Sequence, residues 1–258
     1  MPSVQSLTRA LDLLDHLADA GGRATLSELA AASGLPAASV HRLLATLVAQ
    51  GHVRREAGRR YALGPRLVRL GDVAGHVLGE GVGPALRELV TATGESANLA
   101  GLDGDTAVYL AQAPSPHPMR MFTEVGRRVP LHATGVGKAL LAAMTPEEVD
   151  VLVARTGMPA RTPATLTDPA ALHDELAAAR ARGWVLDEGE QEVGVRCVAA
   201  PVPRAPTPCA VSVSGPAARF SPAEAERAGP TVVAAAARLG EELAGLPDDD
   251  ADASGGAR

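Results

Sequence analysis

The chain has 258 residues, 46% hydrophobic and 21% charged, which suffices for two modest domains that each bury a core. It holds no run of about 18 apolar residues, its start (MPSVQSLTRALDLLDHLADA) carries no export leader, and Cys197 and Cys209 are too few for a disulfide framework, so a cytoplasmic protein with no membrane span is expected. The net charge of −6 divides unevenly: residues 1–71 carry nine Arg against five Asp and Glu, a net of +4, which leaves −10 for the rest and points to a polyanion partner for the basic head alone.

In chain order, Leu7, Ala10, Leu11, Leu14 and Leu17 recur at spacings of three and four, which predicts an amphipathic helix ended by Gly21-Gly22. TLSELAAASGLP then offers Thr25 as an N-cap with Glu28 three residues on, a capping-box pattern, and a stop at Gly34. LPAASVHRLLATLVAQG reads as a third helix, ended by Gly51. Two short β-prone arms follow, His52–Arg55 and Arg60–Leu63, with a tight turn at Ala57-Gly58. Three helices and a hairpin with four arginines in thirteen residues predict a winged helix-turn-helix over residues 1–65. The plainer alternative is a three-helix bundle whose hairpin only caps the core.

Residues 66–81 read as a linker helix, and a mixed α/β stretch runs from 82 to 246. It opens with a helix at 82–93 and two alternating runs joined at Asp103-Gly104. A β-prone run, MRMFTEV, follows at 119–125. Helices are expected at 134–143, 146–156, 168–182 and 222–244, and strands at 184–187, 194–199 and 209–214. The acidic tail, 247–258, is poor in apolar residues and is expected to be disordered.

HATGVGKALLA contains Lys138, the only lysine. A phosphate loop needs a leading glycine and a hydroxyl residue after the lysine; His132 and Ala139 stand there, which excludes a nucleotide loop. Thr134 reads instead as the N-cap of a helix with bare glycines in its first turn. That start either receives a small anion or allows close packing on a sheet. Alternation places Val195, Cys197 and Ala199 on one strand face and Ser212 with Ser214 on another. If the strands are neighbours, a thiol and two hydroxyls line one wall; otherwise Cys197 is a core residue and the serines a solvated face. Four carboxylates between Asp187 and Glu192 read as a wet loop. The seven histidines show no metal-ligand spacing, so no metal site is expected.

SGLPAASVHRLLATLVAQGHVRR, RYALGPRLVRLG, HATGVGKALLA and DEGEQEVGVRCVAAPVPRAPTPCAVSVSGP resemble, in order and spacing, the IclR family of bacterial transcriptional regulators. The resemblance covers about Val4 to Leu243 and is most specific from Asp187 to Pro216. It implies an α+β chain: a winged helix-turn-helix, a linker helix and a GAF-like α/β effector-binding domain, with no cofactor and no enzymatic activity. It also implies homodimers or tetramers on palindromic double-stranded DNA operators, most often as repressors controlled by small organic acids. Carried over residue by residue, the effector positions are Gly135, Val136, Asp187, Cys197, Ser212 and Ser214, with Met119 and Met121 as an apolar wall. The run SPHPMRMFTEVGRRVPLHATGVGKALLA is similar to regulators of allantoin and glyoxylate metabolism, which implies glyoxylate or allantoate as effector.

The helix start Pro36-Ala37-Ala38-Ser39 departs from the family, lacking the Lys or Ser that many relatives carry at Ala37 and Ala38. Base contacts then fall on Ser39, His41 and Arg42, with Ala37 or Ala38 against a thymine methyl. Arg54, Arg55, Arg59 and Arg60 are the expected phosphate or minor-groove contacts. Two rival functions are weighed against this one: a small-acid enzyme using Cys197, with His132 and Asp187 in support, and a DNA binder that responds to no ligand.

Overall fold

The computed structural model describes residues 4–79, 81–121 and 123–244, and the chain forms two compact units that divide after Val77. The predicted acidic tail lies outside the described residues.

The first unit begins with helix α1 (Gln5–Asp19), strand β1 (Arg23–Thr25) and helix α2 (Leu26–Ser33). α2 starts in a full capping box. Thr25 Oγ1 accepts from Glu28 N at 3.3 Å, and Glu28 Oε2 accepts from Thr25 N at 2.7 Å. It ends at Gly34, whose φ of 65° is the left-handed conformation that turns the chain into α3 (Ala37–Ala49). Strands β2 (Val53–Glu56) and β3 (Arg60–Leu63) follow, joined by a 3₁₀ turn in which Arg59 takes a φ of 60°.

Two sequence expectations change in this unit. The wing is a three-stranded antiparallel sheet in the order β1-β3-β2, because the three residues after Gly22 pair with the outer edge of β3. The buried stripe of α1 is also shifted. Leu13 and Leu17 are fully buried with Leu29, Val40, Leu44 and Val53, whereas Leu7 and Leu11 are exposed. The apolar residues of α1 span more than one face, and the core takes only the side that meets α2 and α3.

Helix α4 (Arg66–Gly79) contains the division between the units. The second unit carries α5 (Val82–Thr93), β4 (Ser96–Asp103), β5 (Thr106–Ala113), β6 (Arg128–Pro130), α6 (Gly135–Ala142), α7 (Pro146–Thr156) and α8 (Pro169–Arg182). It closes with β7 (Val185–Glu188), β8 (Val195–Pro201), β9 (Cys209–Pro216) and α9 (Pro222–Ala244). Six antiparallel strands form one sheet in the order β6-β5-β4-β9-β8-β7.

Side-chain alternation divides the apolar residues of this sheet between two layers. On one face Val198, Ala200, Val211 and Val213 pack with Leu86 and Leu89 of α5 and Val232 and Leu239 of α9. On the other, Cys197, Ala199 and Ala210 meet Val136, Leu140 and Leu141 of α6, with Leu172 and Leu176 of α8 behind. A sheet with helices on both faces is the GAF-like α/β arrangement. The run 119–125 is not a strand: its described residues carry no ladder, and Met121 gives its carbonyl to Ser96 Oγ at 3.1 Å. β6 takes the Thr106–Val108 part of the β5 edge instead.

Candidate functional site

The register of the large sheet aligns polar groups that are far apart in sequence. Asp187 faces Cys197 across β7–β8, Cys197 faces Ser214 across β8–β9, and Ser214 faces Ser96 across β9–β4. The next row holds Ala199, Ser212, Asn98 and Gln112. Directly opposed residues share a face, so all of these lie on the α6 side.

Helix α6 closes over that face at its glycine start. Thr134 Oγ1 accepts from Gly137 N at 3.2 Å as the N-cap and donates to Pro130 O at 2.8 Å, so its hydroxyl is committed in both directions. A Cβ at Gly135 would stand 2.6 Å from Cys197 Sγ, so only glycine permits this approach. The anion expected at this helix start is supplied by the protein itself. The Asp187 carboxylate accepts from the Glu190 backbone N–H at 2.8 Å, and the backbone N–H groups of Gly135 and Gly189 favour its charge.

Between these groups lies a cavity of about 60 Å³. Gly135, Asp187, Cys197 and Ser214 form its polar side, and Met121, Tyr109 and Val129 its apolar side. Arg127, Gln191 and Glu192 also reach it, and sequence reasoning did not find them or Tyr109, because their approach depends on the sheet order and on the path of the 114–127 segment. Of the other expected positions, Ser212 is fully buried in the adjoining row, Val136 packs in the core beneath α6, and Met119 is 73% exposed and does not line the cavity. Among the described residues, four buried polar atoms near this site make no hydrogen bond: Ser212 Oγ, Asn98 Nδ2, Gln191 Oε1 and Glu190 Oε2.

Electrostatics separate binding from nucleophilic chemistry here. Burial pushes the Cys197 thiol up to about 12, with the Asp187 charge adding to it and the Ser214 and Ser212 hydroxyls opposing. A thiol of that kind is not a nucleophile near neutrality. His132 bonds Pro159 O at 3.1 Å, and burial lowers its pKa. Burial raises the Asp187 pKa against the three N–H groups and the Lys138 charge. Burial raises Tyr109 as well, so its hydroxyl stays protonated. No cluster of three or more metal-ligating side chains occurs among the described residues.

In the first unit, Ala37, Ala38, His41 and Arg42 are exposed along α3, with Ser39 half-buried between them. Pro36 leaves the first N–H groups of α3 without a side-chain cap. On the wing Arg54, Arg55, Arg59 and Arg60 are all exposed. Arg54 pairs with Glu56 at 2.8 Å, and the Arg55 guanidinium lies 5.8 Å from the Tyr61 ring centre. Arg42, Arg59 and Arg60 make no ion pair among the described residues.

A winged helix-turn-helix with an uncapped, exposed third helix and a basic wing defines a DNA-binding transcriptional regulator. Residues 6–57 match the IclR helix-turn-helix domain, and residues 73–240 match the domain described as bacterial transcriptional regulator IclR C-terminal. The chain belongs to the IclR family. It is 40% identical over 242 residues to the transcriptional repressor IclR of Escherichia coli, covering 90% of this chain and 88% of that one. The transcriptional repressor AllR of Salmonella paratyphi A is 34% identical over 223 residues, covering 84% and 82%.

Among solved structures, an IclR transcriptional regulator of a Silicibacter species superposes with a TM-score of 0.83 at 32% identity, over 95% of this chain and 98% of that one. An IclR homologue of Microbacterium hydrocarbonoxydans, solved with 4-hydroxybenzoate, gives 0.74 at 25% identity, over 92% and 98%. No helix among the described residues is long and apolar enough to cross a membrane.

Proposed function

We propose that this regulator is a repressor whose operator affinity is set by a small carboxylate effector held in the cavity at the start of α6. The reading is carried by a small cavity with hydroxyl, thiol and carboxyl groups on one wall and unpartnered buried polar atoms beside it. The size favours the smallest acids. A water-sized group needs about 10–15 Å³ by such a measure, so about 60 Å³ takes an acid of glyoxylate size. Allantoate and aromatic acids are too large unless the walls move.

The effector does not find an empty helix start, because the Asp187 carboxyl lines the cavity beside Gly135 and its charge is favoured by the Gly135 N–H. An entering carboxylate either displaces Asp187 or sits beside its protonated form, and the raised pKa of Asp187 favours the second. Ser214 and Cys197 then supply the remaining donors. Arg127, the one cation lining the cavity among the described residues, attracts the anion.

Residues 1–65 bind DNA in this scheme, with Ala37, Ala38, Ser39, His41 and Arg42 facing bases and the wing arginines facing phosphates. Residues 66–81 link, and 82–246 sense the acid. Two recognition helices of a homodimer or tetramer read a palindromic operator. The effector acts by binding one arrangement of the oligomer more tightly than the other.

Calorimetric titration of glyoxylate, pyruvate, allantoate and 4-hydroxybenzoate, followed by operator titration with and without the binder, tests this reading. Saturable binding of a small acid that weakens operator affinity is the expected result. An operator affinity that no acid changes refutes it.

A further inference from the structure

We propose that Lys138 and Glu190 are positioning residues for the effector cavity: their buried ion pair fixes the turn from Asp187 to Glu190 and thereby aims the Asp187 carboxylate. The purpose of that aim rests on the effector reading above. Its substance is geometric.

Lys138 is the only lysine of the chain and is 1% exposed. Its Nζ donates to Leu186 O at 2.7 Å and to Glu190 Oε1 at 2.5 Å, with Glu175 Oε1 at 3.9 Å. Glu190 in turn donates its backbone N–H to Asp187 Oδ1. Its carbonyl accepts from Thr165 Oγ1 at 2.6 Å and Thr162 Oγ1 at 3.2 Å, and Thr162 also donates to Gly189 O at 2.7 Å. The turn is therefore held at the Gly189 carbonyl and at both backbone groups of Glu190.

Helix α6 grips Asp187 twice. The Gly135 N–H favours its charge, and Lys138, one turn further on, bonds Leu186 before it and Glu190 after it in the chain. A buried ion pair is a poor device for stability alone, since apolar residues of the same volume serve as well or better. What an ammonium supplies here is a pair of directed bonds to a strand carbonyl and a turn carboxylate.

The pair is also poised to respond to pH. Glu190 is faced by Lys138 of α6, by Asp174, Glu175 and Arg182 of α8, and by Asp187 and Glu188 of β7, around a second cavity of about 480 Å³. Burial pushes its carboxyl up to about 7, against the pull of Lys138. When Glu190 takes a proton the ion pair is lost and Lys138 keeps the Leu186 carbonyl and the distant Glu175. The turn therefore loosens as pH falls through about 7. Asp187 titrates in the opposite sense, since its protonation favours an anionic ligand. The two carboxyls repel each other, so Glu190→Gln also eases ionisation of Asp187, and the ratio of affinities reads Glu190 together with that coupling.

Hydrogen exchange and glyoxylate titration on the intact protein test the proposal together. In the ligand-free protein, Lys138→Met should speed exchange of the Gly135, Gly189 and Glu190 amides about tenfold while the β8 and β9 amides keep their protection. Glyoxylate affinity should fall about tenfold in the same variant. The advantage of wild type over Glu190→Gln should be full at about pH 8 and gone by about pH 6. A merely structural pair would not give that profile.

Unchanged exchange at the three amides overturns the proposal, as does equal glyoxylate affinity in wild type and Lys138→Met. If neither glyoxylate nor pyruvate binds the wild type, the effector reading fails for these acids and the exchange result alone decides the positioning role. Should Lys138→Met not fold, the same exchange measurement on Glu190→Gln, which keeps the side-chain volume, decides it: faster exchange at the three amides supports the role and unchanged exchange refutes it.

Discussion

Gly135→Ala is the sharpest perturbation the structure offers, because its consequence depends on a single contact. The added Cβ would stand 2.6 Å from Cys197 Sγ, against about 3.4 Å for ordinary contact, and 3.3 Å from Cys197 Cβ. Cys197 is 6% exposed and cannot swing into solvent, so α6 must lift from β8 or the thiol must leave its rotamer. Overpacking of this kind costs about 1–3 kcal/mol, and the same methyl intrudes on the cavity.

Urea unfolding of wild type, Gly135→Ala, Cys197→Ala and the double variant measures the coupling. Removing Sγ leaves the new Cβ facing contacts at 3.3 and 3.6 Å, which small shifts absorb. The glycine substitution should therefore be about 1–2 kcal/mol milder in the Cys197→Ala background. Gly137→Ala is the control: its Cβ would meet Leu131 O at 2.4 Å and Leu131 Cα at 2.5 Å, backbone atoms that no change at Cys197 relieves. A Gly135→Ala variant as stable as wild type, or equally damaging with and without the thiol, would refute the close-approach reasoning.

Three further outcomes are expected. Ser214→Ala should weaken glyoxylate binding by about 1–3 kcal/mol, read by calorimetry with the fold checked by circular dichroism; unchanged affinity removes Ser214 from the site. Thr25→Ala removes the cap of α2 and should cost the first unit about 1 kcal/mol in a denaturant titration. Arg59→Ala should lower the salt slope of operator binding by about 1 and weaken all sequences alike, as a phosphate contact does; a loss confined to one base position would place Arg59 on a base edge instead.

The local chemistry of the fold was legible from residue types. Thr25 with Glu28, the stop at Gly34 and the cap at Thr134 each follow from bonds within four residues, and the structure contains them. Alternation likewise put Cys197 on one face of β8 and Ser212 with Ser214 on one face of β9. It could not show that these faces coincide, because that depends on the β8–β9 register, which sets Cys197 opposite Ser214 and Ala199 opposite Ser212. The run 119–125 misled for a related reason. Its residues suit a strand, yet β6 pairs with Thr106–Val108 of β5 and the described residues of the run make no ladder with the rest of that edge. β1 was too short to show any alternation at all.

The glycine cluster before Lys138 shows why two readings of one motif need not exclude each other. Anion reception and close packing both occur at Gly135, since its N–H serves the Asp187 carboxylate while its missing side chain admits Cys197. The anion is a residue 52 positions away, which no local pattern reveals. Burying that carboxylate opposes ionisation, and three N–H groups with a nearby ammonium offset the penalty without cancelling it, so its pKa stays raised. An acid arriving beside it must therefore bring a proton or move the Asp187–Glu190 turn. Lys138, Thr162 and Thr165 hold that turn to α6 and to the loop before α8. Under the proposed function, any displacement of Asp187 is thus felt at once in the packing of α6 on the sheet.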